Sequence, residues 1–145
     1  MLVRVTGSEK AASYLRNERG INKPNAGEIL KRFYVAVAKK NIAAARSYLN
    51  DDLLFLGLFE TYHNAEEYIA ALTKLLQIVV RLDVKKIIAE GNDVAVFFEL
   101  ETKTPAAATT LVAEWHQVKN GKIHRVESAF DGRPFAAMFA GGKRT

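Results

Sequence analysis

The chain has 145 residues, and 49% of them are hydrophobic, a length and composition typical of one globular domain with a sizeable core. It contains no cysteine, which excludes disulfides, thiolate metal sites and cysteine nucleophiles. No apolar run is long enough to span a membrane, and residues 1–7 lack the apolar core of a signal peptide. We therefore expect a cytoplasmic protein without a membrane segment.

The formal net charge is +5, and many of the cations lie in the first third of the chain or at its tail. A basic stripe of this kind can follow a phosphate backbone. Helix faces rich in lysine and arginine are, however, usually just solvated. No recognition helix or aromatic RNA-binding motif accompanies the charge, so a nucleic-acid partner is not expected.

The N-terminal third predicts an extension followed by helices. Residues 1–24 form the extension, in which 8–17 have the pattern of a short helix. Asn25 and Glu28 have the spacing of a capping box, and apolar residues recur at helical spacing over 25–40. A shorter helix at 42–49 follows. The folded domain is expected at 25–139, with a flexible tail at 140–145.

The remainder predicts a strand, a helix and then four strands. The strand at 53–59 is apolar on both faces, and Asn64 and Glu67 are spaced as caps of the next helix. Strands at 82–90 and 94–103 are separated by a Gly-Asn-Asp turn. A hairpin closes the domain.

The hairpin turns at Asn120-Gly121, the strongest short-range hairpin signal in a sequence. A two-residue turn places Trp115 on one face with Val126, Ser128 and Phe130. A three-residue loop with Gly121 left-handed instead places Glu114, His116 and Val118 beside those three residues. A slip of one residue turns a whole strand over, so the function depends on the register.

Four segments, in this order and spacing, resemble the nuclear transport factor two-like superfamily, and most closely its SnoaL-like, ketosteroid-isomerase-like branch. They are the helix at 25–40, Asn50-Asp51-Asp52, Tyr62-His63-Asn64, and 119–123 leading to Phe130-Asp131. The resemblance covers about residues 26–135. It implies a cystatin-like α+β fold, in which a curved antiparallel sheet wraps around the N-terminal helices and forms a cone with an apolar pocket.

Short-loop members of that superfamily turn this hairpin through a three-residue loop that ends in glycine. The resemblance therefore favours the three-residue register. In that register Gly121 has a positive φ, and Glu114 and Val126 lie on the concave face of the sheet.

The catalytic residues of the superfamily are mostly replaced in this chain. Phe33 lies where ketosteroid isomerases carry their oxyanion-hole tyrosine, and Gly57 lies where they carry the proton-transferring aspartate. Glu114 lies near their second carboxylic acid. The epoxide hydrolases of the superfamily use an aspartate where this chain has Ser128, and a tyrosine–asparagine pair where it has Phe55 and Gly57. Neither mechanism carries over intact, because phenyl cannot donate a hydrogen bond and glycine cannot take a proton.

Glu114 and His116 are the candidate catalytic residues, because their side chains share one face of a strand. An apolar cavity raises the pKa of a carboxyl group unless a cation answers it. A charged His116 would leave Glu114 a base, and a neutral His116 would leave it an acid. The competing interpretation is a satisfied or outward-facing pair. The predicted pocket residues are Phe33, Phe55, Gly57, His63, Tyr68, Leu72, Phe98, Val126, Ser128 and Phe130.

Two functions of different class fit these residues. The first is an isomerase, cyclase or hydratase that uses acid–base chemistry on a hydrophobic ketone or polyketide-like substrate. The second is a non-catalytic module that binds a small hydrophobic molecule or dimerises. Phe97 and Trp115 on the convex face predict a homodimer interface. No cofactor is implied, and the histidines and glutamates lack compact metal-ligand spacing.

Overall fold

The structure, a computed structural model, describes residues 23–103 and 107–140. The helix expected at 8–17 and the tail beyond 140 lie outside the described residues. The helices α1 to α4 are Ala26–Ala38, Ile42–Arg46, Ala65–Leu76 and Ala136–Ala140. The strands β1 to β6 are Leu49–Leu56, Thr61–Tyr62, Val79–Glu90, Asp93–Thr102, Ala108–Lys119 and Lys122–Phe130. A short 3-10 turn at Arg133–Phe135 precedes α4.

Both predicted helix caps are present. Asn25 Oδ1 accepts from the backbone N–H of Glu28 at 2.9 Å, and Glu28 Oε1 accepts from the N–H of Asn25 at 3.3 Å, which completes the capping box. At α3, Asn64 Oδ1 accepts from the N–H of Glu67 at 2.8 Å. The shorter helix ends at Arg46 rather than at residue 49, because Leu49 already pairs with β6.

The six strands form one sheet in the order β2-β1-β6-β5-β4-β3. The sheet is mixed rather than purely antiparallel as predicted, because β1 runs parallel to β6 while the other neighbours are antiparallel. Register shifts interrupt β1, β3 and the β5–β6 pair. Bulges of this kind bend a strand and increase its twist, and here they accompany the curved, open α+β sheet that the sequence predicts.

The hairpin combines features of both predicted registers. Asn120 and Gly121 have φ of 54° and 79°, and Lys119 pairs with Lys122, so the turn has two residues and the expected three-residue loop is wrong. Its left-handed glycine is confirmed. Asn120 tolerates the left-handed region better than most residues, which lets the shorter turn form.

A bulge at His124 then shifts the strand by one residue. Val118 pairs with Ile123, but Gln117 pairs with Arg125, which leaves His124 without a partner in the register. Beyond this bulge Glu114 lies opposite Ser128 and His116 lies opposite Val126. The faces are therefore those predicted for the three-residue loop, with Glu114 and Val126 buried on the concave side and Trp115 exposed on the other.

The core lies between the helices and the concave face of the sheet. Its largest fully buried side chains come from α1, β1 and the inner positions of β3 to β6: Phe33, Leu30, Leu49, Leu53, Ile87, Ile123, His116, Val94, Val96 and Val126. The pattern in β4 and β5 alternates strictly, so each inward side chain faces α1 or the cavity. Within the described residues, no helix has the length and apolar character needed to cross a membrane.

Gly121→Ala should destabilise the fold through the backbone alone. A Cβ at this position would meet no atom within 4 Å, so the cost is that of an L-residue at φ +79°, roughly 1 kcal/mol. Urea denaturation should show a lower midpoint with an unchanged slope. Asn120→Gly, which removes a non-glycine residue from the same turn, is the control and should be near neutral or stabilising. Equal midpoints for Gly121→Ala and the native chain would contradict this account.

Candidate functional site

A cavity of about 210 Å³ lies between α1, α3 and the concave face of the sheet. Most of its wall is apolar and aromatic, with large contributions from Phe33, Phe55, Leu72, Phe98 and Phe130. Exposed side chains of the loop after β1 and of α4 mark its outer end: Leu58, Phe59 and Met138. Buried side chains of α1 and β5 mark its inner end. The cavity thus has a mostly apolar interior and one open side.

Three polar side chains meet at the inner end. The hydroxyl of Tyr34 donates to Glu114 Oε1 and lies 3.0 Å from His116 Nε2. His116 Nε2 is itself 3.3 Å from Glu114 Oε1. The exposed fractions of Tyr34, Glu114 and His116 are 3%, 9% and 1%, so the network is almost closed to water. We call these three residues the inner triad.

Strand alternation and helix packing bring the inner triad together. Glu114 and His116 are two residues apart on β5, so both point to the concave face. Tyr34 lies on the buried face of α1, where its ring contacts Phe98 at 5.2 Å and His116 at 5.7 Å between centroids. These ring contacts hold the hydroxyl of Tyr34 over the carboxylate.

Glu114 is a buried carboxylate that its neighbours keep ionised. Burial raises its pKa, but the hydrogen bond and the charge interaction with His116, followed by hydrogen bonds from Tyr34 and Ser128, outweigh burial and hold the pKa below its ordinary value of 4.5. The sequence left Glu114 either a base or an acid, and the lowered pKa agrees with the base, the alternative in which His116 answers the carboxylate; the structure adds Tyr34 and Ser128 as donors. At neutral pH Glu114 is an anion that can accept a proton.

His116 stabilises that anion through one ring nitrogen only. Its Nδ1 is the one buried side-chain polar atom, among the described residues, that lacks a hydrogen-bond partner. The other ring nitrogen, Nε2, is the one that contacts the Tyr34–Glu114 pair.

Tyr68 presents a free hydroxyl to the cavity. It lies on α3, is 8% exposed and lines the cavity, and its hydroxyl forms no hydrogen bond with the rest of the described structure. Burial, followed by the charge of Glu114, raises the pKa of Tyr68 well above 10. The same two causes make the largest contributions to the raised pKa of Tyr34. Both phenols are neutral donors, but only that of Tyr68 is uncommitted.

Most of the predicted pocket residues line the cavity. They are Phe33, Phe55, Gly57, Tyr68, Leu72, Phe98, Ser128 and Phe130, together with Glu114. His63 lies elsewhere, since it is exposed and only its backbone N–H contacts Glu67. Val126 is part of the core beneath the cavity wall, and His116 lies behind Tyr34.

Sequence reasoning missed Tyr34, the central residue of the inner triad. Comparison with the isomerases pointed to Phe33, the preceding residue, and adjacent helix residues differ by about 100° in direction. The available signal was the spacing of Tyr34 four residues after Leu30 and three before Val37, which places it on the same buried stripe. Glu60 and Tyr62, which also line the cavity, were missed because they belong to a loop and a two-residue strand.

In residues 23–103 and 107–140, no three metal-ligating side chains of histidine or carboxylate type converge. The inner triad contributes one carboxylate and one imidazole, and the hydroxyl of Tyr34 lies between them.

The sequence pattern of the SnoaL-like domain matches residues 30–126, about two-thirds of the chain. The chain belongs to the SnoaL-like domain family. The match includes most of α1, the whole of β1 to β5 and the inner triad. No protein of curated function is similar enough in sequence to match.

Solved structures share the fold at low sequence identity. A nuclear transport factor two-like protein of unknown function from Cytophaga hutchinsonii is 23% identical, with a TM-score of 0.69, over 77% of this chain and 95% of that chain. An LEH-like epoxide hydrolase from M. tuberculosis is 19% identical, with a TM-score of 0.65, over 81% and 90%. A candidate ketosteroid isomerase from Kribbella flavida is 14% identical, with a TM-score of 0.66, over 73% and 77%. These likenesses establish the nuclear transport factor two-like, ketosteroid-isomerase-like fold.

Tyr34→Phe should raise the pKa of Glu114, because it removes one donor to the carboxylate without opening the cavity. Carbon-13 NMR titration of the Glu114 carboxyl group measures this directly. Tyr68→Phe is the matched control, since it deletes a hydroxyl from the same cavity that does not bond to Glu114. Equal pKa values of Glu114 in the two variants would show that Tyr34 does not stabilise the anion.

Proposed function

We propose that this protein is an acid–base enzyme of the isomerase, cyclase or hydratase type that acts on a small hydrophobic ketone. The observation that carries the proposal is a carboxylate, Glu114, kept ionised at the inner end of an apolar cavity. A dry site strengthens each electrostatic contact with a bound molecule, and an ionised carboxylate there is a competent base.

The proposed first step is proton abstraction. Glu114 takes a proton from the carbon next to the ketone, and the electron pair of that C–H bond moves to form an enolate. The hydroxyl of Tyr68 donates to the enolate oxygen, which matches its lack of any other acceptor among the described residues. Glu114 then returns the proton to a different carbon, or the enolate attacks a second carbonyl of the same molecule, which then takes the proton from Glu114.

Tyr34 and His116 act through Glu114 in this proposal. Both contact the same carboxylate oxygen, Oε1, so they fix the orientation of the group and stabilise its charge. They are positioning residues. Phe33 and Gly57 cannot perform the roles of the isomerase tyrosine and aspartate at those positions. In this proposal Glu114 is the base, and the donors come from α1 and α3.

The competing function is a non-catalytic module that binds an apolar ligand. One observation favours it: Tyr34, His116 and Ser128 together satisfy Glu114, as a purely structural polar network would. The free hydroxyl of Tyr68 favours catalysis, since a structural network has no use for an uncommitted donor. The cytoplasmic location remains a prediction.

Glu114→Gln should abolish ketone chemistry while preserving the shape of the cavity. The native chain should exchange the α-hydrogens of single-ring ketones in D₂O, followed by proton NMR, and the variant should be slower by roughly 100-fold or more. Tyr68→Phe should also lower the exchange rate, by on the order of 100-fold. Glu90→Gln, an exposed residue at the far end of β3, should match the native rate. Equal rates in the native chain and Glu114→Gln would favour the binding module.

We also propose a homodimer formed by the convex face of the sheet. Leu111 and Trp115 on this face are 60% and 47% exposed, and Phe97 lies partly exposed on the neighbouring strand β4. Apolar side chains gathered on one face usually mark an interface. The indole of Trp115 donates to Asp93 at 2.9 Å, and the guanidinium of Arg125 lies over the ring at 5.8 Å from its centroid, so both neighbours orient the ring.

Trp115→Glu should therefore give a monomer in analytical ultracentrifugation, because a buried carboxylate at the centre of a two-fold contact has no partner. Leu111→Glu should act in the same direction and leaves the Asp93 contact intact. Val35→Glu, an exposed apolar position on α1 outside this face, is the control and should stay dimeric. Unchanged sedimentation of Trp115→Glu and Leu111→Glu would overturn the proposed interface.

A further inference from the structure

The volume of the cavity limits the size of its ligand. Sites for drug-sized molecules span roughly 300–1,000 Å³, and an engineered cavity of about 150 Å³ holds one benzene. At about 210 Å³ the present cavity lies between these values. It accommodates one ring with a few substituents, and a fused four-ring molecule would not fit inside it.

The charges along the cavity wall are all of one sign. Glu60 and Glu114 line it, while no lysine, arginine or histidine of the described residues does. This contrasts with the whole chain, whose formal net charge is +5. An anionic ligand would meet two carboxylates and no cation, so the cavity disfavours carboxylic acids and phosphorylated molecules.

Glu60 is the carboxylate of the outer end. It is exposed and follows Leu58 and Phe59, and its Oε1 accepts from the Tyr62 hydroxyl at 2.6 Å. Within the described part of the chain it has no ion-pair partner. Arg133, on the turn that supplies Phe135 to the wall, is paired with Asp131 at 2.6 Å.

An aromatic wall leads inward from Glu60. The rings of Tyr62 and Phe55 are 5.7 Å apart with 32° between their planes, and those of Phe55 and Tyr68 are 4.9 Å apart with 30°. Aromatic faces attract alkylammonium groups, and such groups are recognised by aromatic cages. The wall ends at the uncommitted hydroxyl of Tyr68, which can donate to an acceptor on the ligand.

We propose that the substrate is a single-ring-sized ketone that carries an alkylammonium group. Its carbonyl oxygen accepts from Tyr68 beside Glu114, and its cation lies against Glu60 and the ring of Tyr62. The carbonyl end rests on the proposed function. The cationic end rests on the outer wall of the cavity alone, so the two can be tested separately.

Two probes of the same shape isolate the contribution of the positive charge to binding. Phenyltrimethylammonium and tert-butylbenzene differ by one positive charge, and neither has a hydrogen acidic enough for Glu114 to remove. In NMR titrations of the full chain, the cation should bind at least 10-fold more tightly than the neutral probe. Its binding should shift the amide signals of residues 60–62 and weaken with added salt.

Glu60→Gln should weaken binding of the cation about 3- to 10-fold, a modest loss because the carboxylate is exposed, and leave tert-butylbenzene unchanged. Glu90→Gln removes the same charge roughly 26 Å away along β3 from Leu82 of the wall and controls for net charge. Equal affinities for the two probes would overturn the inference, as would equal effects of the two glutamine variants. If the cation binds as described but no ketone exchanges its α-hydrogens, the proposed reaction fails and the ligand class stands.

Discussion

The burial of the Glu114 carboxylate is the constraint on which the site depends. An ion in an apolar cavity costs several kcal/mol unless hydrogen bonds replace its water. Here the replacement donors come from two separate elements, since Tyr34 lies on α1 while His116 lies on β5 with Glu114 itself. The packing of α1 against the sheet and the ionisation of Glu114 are therefore coupled. Any change that moves α1 away from β5 leaves a charge without a partner, which is more costly than the loss of the contact alone.

The hairpin must satisfy a second constraint, because the turn length that its residues favour conflicts with the strand face that must be buried. Asn120-Gly121 favours a two-residue turn, but that turn in an unbroken ladder would carry Trp115 inward and Glu114 into solvent. The bulge at His124 removes the conflict by shifting the pairing by one residue. The turn keeps the backbone conformation that its residues prefer, and the strand keeps its buried face. One unpaired residue thus decides which side of β5 faces the cavity.

Local features of the fold follow from the sequence, and non-local ones do not. The caps at Asn25 and Asn64 and the alternation of β5 depend on residues a few positions apart, and each was predictable. The parallel pairing of β1 with β6 joins segments about 70 residues apart, and the bulge at His124 has no signature of its own. Tyr34 was missed for a related reason. Its role depends on the rotation of α1 against a sheet formed 80 residues later, and one residue of helix changes the direction of a side chain by about 100°.

Folded proteins satisfy nearly all of their buried polar groups, so the exceptions are informative. Among the described residues, His116 Nδ1 has no partner and the Tyr68 hydroxyl bonds to no protein group. The first is enclosed in the core, where His116 is 1% exposed. The second is open to the cavity, where a bound molecule can accept from it. Near the same carboxylate, the fold therefore encloses His116 and leaves the hydroxyl of Tyr68 open to a ligand. That difference separates the positioning half of the site from the half that meets the substrate.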